Sequence, residues 1–136
     1  MIDPNMRISI SAIILVIMIG CNSTTKSPKL DCLKLRDGVF LTEIDTPYYK
    51  GEITRKGNTQ IEKNLQTGAS ATLEVKWIND CTYLLTPVSE TDSSLNYLKN
   101  KSLTVEITRV SGDTVYTVSH IPGINVNPEI KMIKIR

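Results

Sequence analysis

The chain has 136 residues and a formal net charge of +2, and its 16 basic and 14 acidic side chains are interspersed along the sequence. This mixture excludes the basic stripe that nucleic-acid-binding proteins present to phosphate, so no nucleic-acid partner is expected. The length suits one domain with a single hydrophobic core.

The N-terminal segment predicts export. Residues 8–20 are mostly apolar and follow Arg7, but the run is too short for a transmembrane helix, which needs about 20 residues to cross roughly 30 Å of hydrocarbon. A short apolar run behind a basic residue is typical of a signal peptide, here residues 1–20. The chain starts at either Met1 or Met6, because an acid and a proline precede the second methionine.

The end of this segment is more specific than an ordinary cleavage site. Ile19-Gly20-Cys21 resembles the lipobox of bacterial lipoproteins, whose cysteine receives acyl chains such as palmitate and becomes the first mature residue. Residues 21–29 are polar and predict a flexible tether. We therefore expect a protein that is lipid-anchored through Cys21 in the cell envelope, at the outer membrane and facing the periplasm.

Two other cysteines, Cys32 and Cys81, remain once Cys21 is assigned to lipid. In an exported chain they are either joined in a disulfide or present as two separate buried thiols. A bridge would close a loop of about 50 residues, which the chain-entropy model values at roughly 4 kcal/mol.

From residue 30 onward, turn signals separate short segments rich in β-branched and aromatic residues, a pattern typical of an antiparallel meander. The clearest alternation places Leu73, Val75 and Trp77 on one face of a strand. Eight strands are predicted, over residues 39–45, 49–55, 59–65, 71–78, 81–86, 102–110, 114–120 and 129–135.

Eight strands with short links predict that residues 30–136 form an all-β domain, a small lipocalin-like barrel or half-barrel, because closure removes exposed sheet edges. A two-layer β-sandwich is the alternative. Pro87 is expected to end the fifth strand. After it, either a short helix over residues 92–99 or an ordered loop is expected.

Residues 75–83, which read Val-Lys-Trp-Ile-Asn-Asp-Cys-Thr-Tyr, are the most specific motif. They resemble the Trp-Ile-x-Asp-Cys-x-Tyr signature of small exported lipoproteins from Bacteroidetes-type bacteria. The resemblance implies that Cys32 and Cys81 pair, and it implies no catalytic residue, since members have no established activity. Some members carry the label DNA topoisomerase IV, which does not fit a chain of this size. Weaker similarity to the family covers residues 32–40, 53–55, 58–62, 105–107 and 112–116.

Three residues are candidates for ligand binding. Arg55 shares the strand parity of Ile53 and is predicted to point inward at a barrel mouth, where it could meet an anionic ligand; the alternative is a solvated strand-end arginine. Trp77 and Tyr83 lie across a short turn from one another, and they either pack in the core or line a ligand cleft.

Other site types find no support. His120 is the only histidine, so neither a His-based metal cluster nor a Ser-His-Asp triad is expected. No Gly-rich phosphate-binding motif occurs, and no cofactor or metal is expected.

The sequence therefore favours a non-enzymatic accessory or interaction module with a protein partner in the envelope. The alternative is a carrier of a small hydrophobic molecule or lipid in a lipocalin-like cup, which a connected apolar cavity would distinguish. An enzyme or inhibitor would require a polar cluster assembled from distant strands.

Overall fold

The computed structural model describes residues 29–45, 48–90 and 100–136. The predicted signal peptide, the lipid attachment at Cys21 and the helix expected over 92–99 lie outside these ranges, as does the tether up to residue 28.

Eight antiparallel strands close into a barrel in which each strand pairs with the next along the chain. The barrel closes where β8 pairs with β1, from Phe40 opposite Lys134 to Thr42 opposite Met132. The predicted small barrel is confirmed, and the alternative of a two-layer sandwich is wrong. The strands are β1 (Gly38–Asp45), β2 (Tyr48–Lys56), β3 (Thr59–Asn64), β4 (Ser70–Trp77), β5 (Thr82–Glu90), β6 (Leu103–Ser111), β7 (Thr114–His120) and β8 (Glu129–Lys134).

The fifth strand is longer than predicted. Pro87 does not end β5, which continues to Glu90. Pro87 pairs with Leu73 beside a register shift, and the described pairing of β5 with β6 ends at Leu85. Because proline lacks an N–H group, it is tolerated at a bulge or on an unpaired side of a strand, and both conditions hold here.

Alternate side chains of the strands face the barrel interior and form one apolar core. The N-terminal segment contributes to this core as well as the strands, because Cys32 and Leu35 are buried in it. The buried strand residues of the core are Phe40, Ile53, Ala71, Leu73, Val75, Tyr83, Leu85, Leu103, Val105, Ile107, Val115 and Met132.

The two ends of the barrel differ. At one end, here called the plugged end, the short 3-10 helix Leu33–Leu35 precedes β1 and inserts its last side chain into the core. The connections there are short, over residues 57–58, 78–81 and 112–113. The opposite end, here called the cavity end, is where β1, β3, β5 and β7 end, and it carries the connections over residues 65–69 and 121–128.

A disulfide between Cys32 and Cys81 ties the N-terminal segment to the β4–β5 connection at the plugged end. The two cysteines are 49 residues apart in sequence. The sequence left open a bridge or two separate thiols, and the bridge is confirmed.

Candidate binding site in the barrel interior

A tight hairpin decides which residues of β3 face inward. A two-residue turn joins β2 to β3, and its Gly57 has a φ of 57°, a left-handed conformation that glycine adopts without strain. The turn places Arg55 opposite Gln60 and Ile53 opposite Glu62. Residues directly opposite each other share a face of the sheet, so both polar residues of β3 enter the barrel interior with their partners.

Arg55 is the centre of a hydrogen-bonded network at the plugged end, and only 2% of it is exposed. Its Nε donates to Oε1 of Gln60 at 2.8 Å, and its Nη2 donates to the hydroxyl of Tyr83 at 2.8 Å. Its Nη1 donates to the backbone carbonyl of Leu35 at 3.0 Å. All three acceptors are uncharged, so these contacts provide hydrogen-bond partners for the guanidinium nitrogens but do not neutralise the positive charge.

Gln60 links this cation to a carboxylate. Because the Nε of Arg55 can only donate, the amide oxygen of Gln60 faces it and the amide nitrogen faces Glu62. That nitrogen donates to Oε1 of Glu62 at 2.6 Å. Within the described ranges neither Arg55 nor Glu62 takes part in a direct ion pair, so one amide separates the buried positive charge from its counter-charge.

Burial changes the acidity of two groups in this network. Desolvation raises the pKa of the Glu62 carboxyl, although the hydrogen bond from Gln60 and the charge of Arg55 act in the opposite direction. Desolvation also raises the pKa of the Tyr83 phenol, against the effect of Arg55. Tyr83 therefore keeps its proton at physiological pH.

Two adjoining cavities lie in the interior formed by the described strands. The outer one, of about 250 Å³, lies towards the cavity end, and the inner one, of about 160 Å³, reaches Tyr83. Ile53, Glu62 and Ile130 line both. Together the cavities reach the lower part of the range of about 300–1,000 Å³ that is usual for small-molecule pockets.

The walls of both cavities are mainly apolar. Leu73, Leu85 and Met132 line the inner cavity, and Ile44 and Ala71 line the outer one. Among the described residues on these walls, Glu62 is the only one of the Asp, Glu, Lys, Arg and His types. Gln60 and Glu62 are not among the site residues that the sequence predicts.

The structure brings together the three residues that the sequence singled out. The Arg55 guanidinium lies 4.5 Å from the centre of the Tyr83 ring and 5.8 Å from that of Trp77, and the two rings are 4.6 Å apart. Arg55 points inward, as its parity predicts, and the alternative of a solvated arginine is wrong because the side chain is buried. It lies at the plugged end, however, and not at a mouth.

Of these three residues, only Tyr83 lines either of the two cavities described above, and it lines the inner one. Trp77 packs against the hydrophobic core. Participation of Arg55, Trp77 and Tyr83 in ligand binding therefore stays a prediction.

His120 is exposed at the end of β7, where its Nδ1 lies 3.1 Å from the amide oxygen of Asn127. In residues 29–45, 48–90 and 100–136, no group of three or more His, Cys, Asp and Glu side chains could hold a metal ion. Nor does this part of the chain contain a helix long and apolar enough to cross a membrane.

A scan against protein-family models and a search of curated proteins found no match to this chain. The resemblance to exported lipoproteins therefore stays a prediction.

Proposed function

We propose that this protein is a non-enzymatic binding protein that holds a small apolar molecule inside its barrel, and that lipid on Cys21 anchors it to the outer membrane of the cell envelope. The single observation that supports binding is the pair of adjoining cavities at Ile53, Glu62 and Ile130. The interior of an eight-stranded barrel is either filled by side chains or left wide enough for one small ligand.

The apolar side chains that line the cavities supply the driving force for ligand binding. Transfer of apolar surface from water is worth about 25 cal/mol per Å², and the leucine, isoleucine and methionine side chains around the cavities offer such a surface. The inner cavity ends at Tyr83, whose hydroxyl is held by Arg55, so a ligand would enter from the cavity end. The cavities favour a carrier over the interaction module that the sequence alone favours.

A matched pair of variants on β4 tests this proposal. Ala71 is 2% exposed and lines the outer cavity, whereas the next residue, Thr72, faces outward opposite the exposed Ile61. Ala71→Phe would place a ring in the cavity, and Thr72→Phe would add the same ring to the outer surface. The probe is N-phenyl-1-naphthylamine, an uncharged dye that fluoresces in apolar surroundings.

The dye is titrated into full-length protein that has been isolated from the producing cell and reconstituted in phospholipid nanodiscs. Dye dissolved in lipid is common to all samples, so the differences between them report the cavity. We expect wild type and Thr72→Phe to bind alike, and Ala71→Phe to bind at least about tenfold more weakly. Equal dye binding by all three proteins, with unchanged far-ultraviolet circular dichroism, would contradict the proposal. Mass spectrometry of the same preparation reports whether Cys21 is acylated.

A further inference from the structure

The closing edge of the barrel is paired along only part of its length. β1 and β8 pair with each other over Phe40–Thr42 of β1. β1 then continues to Asp45, and β8 begins at Glu129, three residues before its pairing with β1 starts. Residues 43–45 keep their pairing with β2, and residues 129–131 keep theirs with β7. In the described part of the chain, β1 and β8 are therefore unpaired over these residues, a region here called the split.

A side chain ends the β1–β8 ladder at this point. If the pairing continued by one residue, Glu43 would lie opposite Lys131, and the backbone carbonyl of Lys131 would accept the N–H of Glu43. The hydroxyl of Thr42 donates to that carbonyl instead, at 3.1 Å. The oppositely charged side chains of Glu43 and Lys131 form no ion pair within the described ranges. Both observations indicate that the two strands diverge beyond Thr42.

Exposure along β1 changes at the same residue. Buried and partly exposed residues alternate from Val39 to Thr42. The last three residues, Glu43–Asp45, are all exposed, although Ile44 among them lines the outer cavity. Unpaired backbone N–H and C=O groups are costly to bury, so a strand edge without a partner is normally hydrated. Water therefore reaches the split from the outer surface of the barrel.

Empty space borders the split on both of its sides. On the inner side lies the outer cavity, lined there by Thr42, Ile44 and Ile130. On the outer side lies a groove of about 340 Å³, whose walls include Thr42, Glu43 and Lys131. Because Thr42 borders both spaces, the split is the shortest connection between the outer surface and the cavity. Ile44 and Ile130 would give an apolar molecule apolar contacts on its way through.

We propose that the ligand enters and leaves the barrel sideways, through the split between β1 and β8. The hydrogen bond from Thr42 to Lys131 marks the closed end of this portal. The inference rests on the proposed function and adds to it the route by which an apolar molecule reaches the cavities. A portal acts on rates alone: it changes association and dissociation by the same factor and leaves the dissociation constant as it is.

A cross-link over the split tests the inference. Glu43→Cys/Lys131→Cys places two thiols on the outer face at the first unpaired position, and their oxidation would join the two strands there. The matched control is Leu41→Cys/Ile133→Cys, on the same face of the same strands but at a position that is already paired. Each oxidised protein is compared with the same protein whose two new thiols have been blocked with methyl methanethiosulfonate. Mass spectrometry confirms the link and the presence of the Cys32–Cys81 disulfide.

The readout is stopped-flow fluorescence of N-phenyl-1-naphthylamine with full-length protein in nanodiscs. Uptake of the dye by lipid is common to all samples. We expect the link between positions 43 and 131 to slow association and dissociation of the dye at least about tenfold each, with a dissociation constant that changes less than about twofold. The link between positions 41 and 133 should change both rates less than about twofold. Unchanged rates in the first linked protein, or equal slowing in both, would overturn the inference.

A second reagent covers the case in which the disulfide over the split does not form. The reagent o-phenylenedimaleimide joins the same two thiols across a wider gap and places an aromatic ring in the split, so the same slowing is expected. Rates equal to those of the blocked protein would again contradict a lateral route.

The outcomes separate the two proposals. If the dye fails to bind wild type, the proposed function is wrong. If the dye binds wild type and the linked proteins keep its rates, the barrel is a carrier that its ligand enters elsewhere, and the inference alone is wrong.

Discussion

The two ends of this barrel differ in how tightly they are packed, as two residues on the same face of β1 show. Phe40, near the plugged end of β1, is completely buried, whereas Ile44, four residues further along, is 37% exposed and lines the outer cavity. The first belongs to the core, and the second borders a cavity of about 250 Å³ among the described side chains. One end of the barrel therefore provides packing, and the other leaves an apolar surface available.

The polar groups of the interior divide in the same way. At the plugged end, all three nitrogens of Arg55 have acceptors, so its position is fixed. Glu62, next to the cavities, receives one hydrogen bond from the described residues. A fully satisfied buried network rigidifies a structure, and a partly satisfied one can take a partner. The plugged end therefore contains a buried hydrogen-bonded network, and the cavity end contains mainly apolar cavities.

Truncation of the two β1 residues should give the largest contrast. Phe40→Ala should lower the free energy of unfolding by about 4 kcal/mol, because it removes a fully buried ring from a packed core. Ile44→Ala should lower it by less than about 1 kcal/mol, because its surroundings are already open. Urea denaturation of both variants measures the difference.

If Phe40→Ala does not fold, Phe40→Leu keeps the comparison testable, with an expected loss of about 1–2 kcal/mol. Similar losses for Ile44→Ala and Phe40→Leu would show that the two ends are packed alike, which would contradict the comparison.

Loss of the disulfide should have the next largest effect. Cys32→Ser/Cys81→Ser should cost about 2–4 kcal/mol, since it frees a long loop and releases the N-terminal plug. Dye binding should persist under conditions in which the variant is still folded, because neither cysteine lines the outer cavity. A melting temperature equal to that of wild type would argue against a stabilising role for the bridge.

The smallest effect should be the pH dependence that Glu62 adds. Because burial raises the pKa of its carboxyl, the folded protein binds this proton more tightly than the unfolded chain does. Wild type should therefore lose stability relative to Glu62→Gln as the pH rises above the ordinary glutamate value of about 4.3.

Urea denaturation of wild type and Glu62→Gln at several pH values between 4 and 8 measures this dependence. The two proteins should be closest in stability at the acidic end and furthest apart at the alkaline end, with Glu62→Gln the more stable. A stability difference that shrinks as the pH rises would reverse the sign and exclude a raised pKa.

The sequence predicts the strands well because each strand buries one face. In β4, Leu73, Val75 and Trp77 alternate with polar residues, and the structure places this face against the core. The predicted end of β5 at Pro87 is wrong because the bulge and the loss of pairing with β6 depend on neighbouring strands. A local sequence pattern does not report such features.

The candidate site was harder to predict because β3 has polar residues on its inward face and an apolar residue on its outward face. Its apolar Ile61 is 44% exposed, and its polar Gln60 and Glu62 face the interior. A signal was present, since a two-residue turn after Lys56 pairs Glu62 with the inward-facing Ile53. Parity alone also could not predict that Arg55 lies at the plugged end, because the plug is a separate segment of the chain.

The contact between Lys29 and Asp80, 3.8 Å apart, has a consequence for orientation. It brings the start of the described chain to the β4–β5 connection, so the polypeptide leaves the barrel on its plugged side. If Cys21 is acylated, the eight residues up to Lys29 reach at most about 28 Å. Such an attachment would join the barrel from its plugged side, and the cavity end would be the end further along the strands from the attachment point.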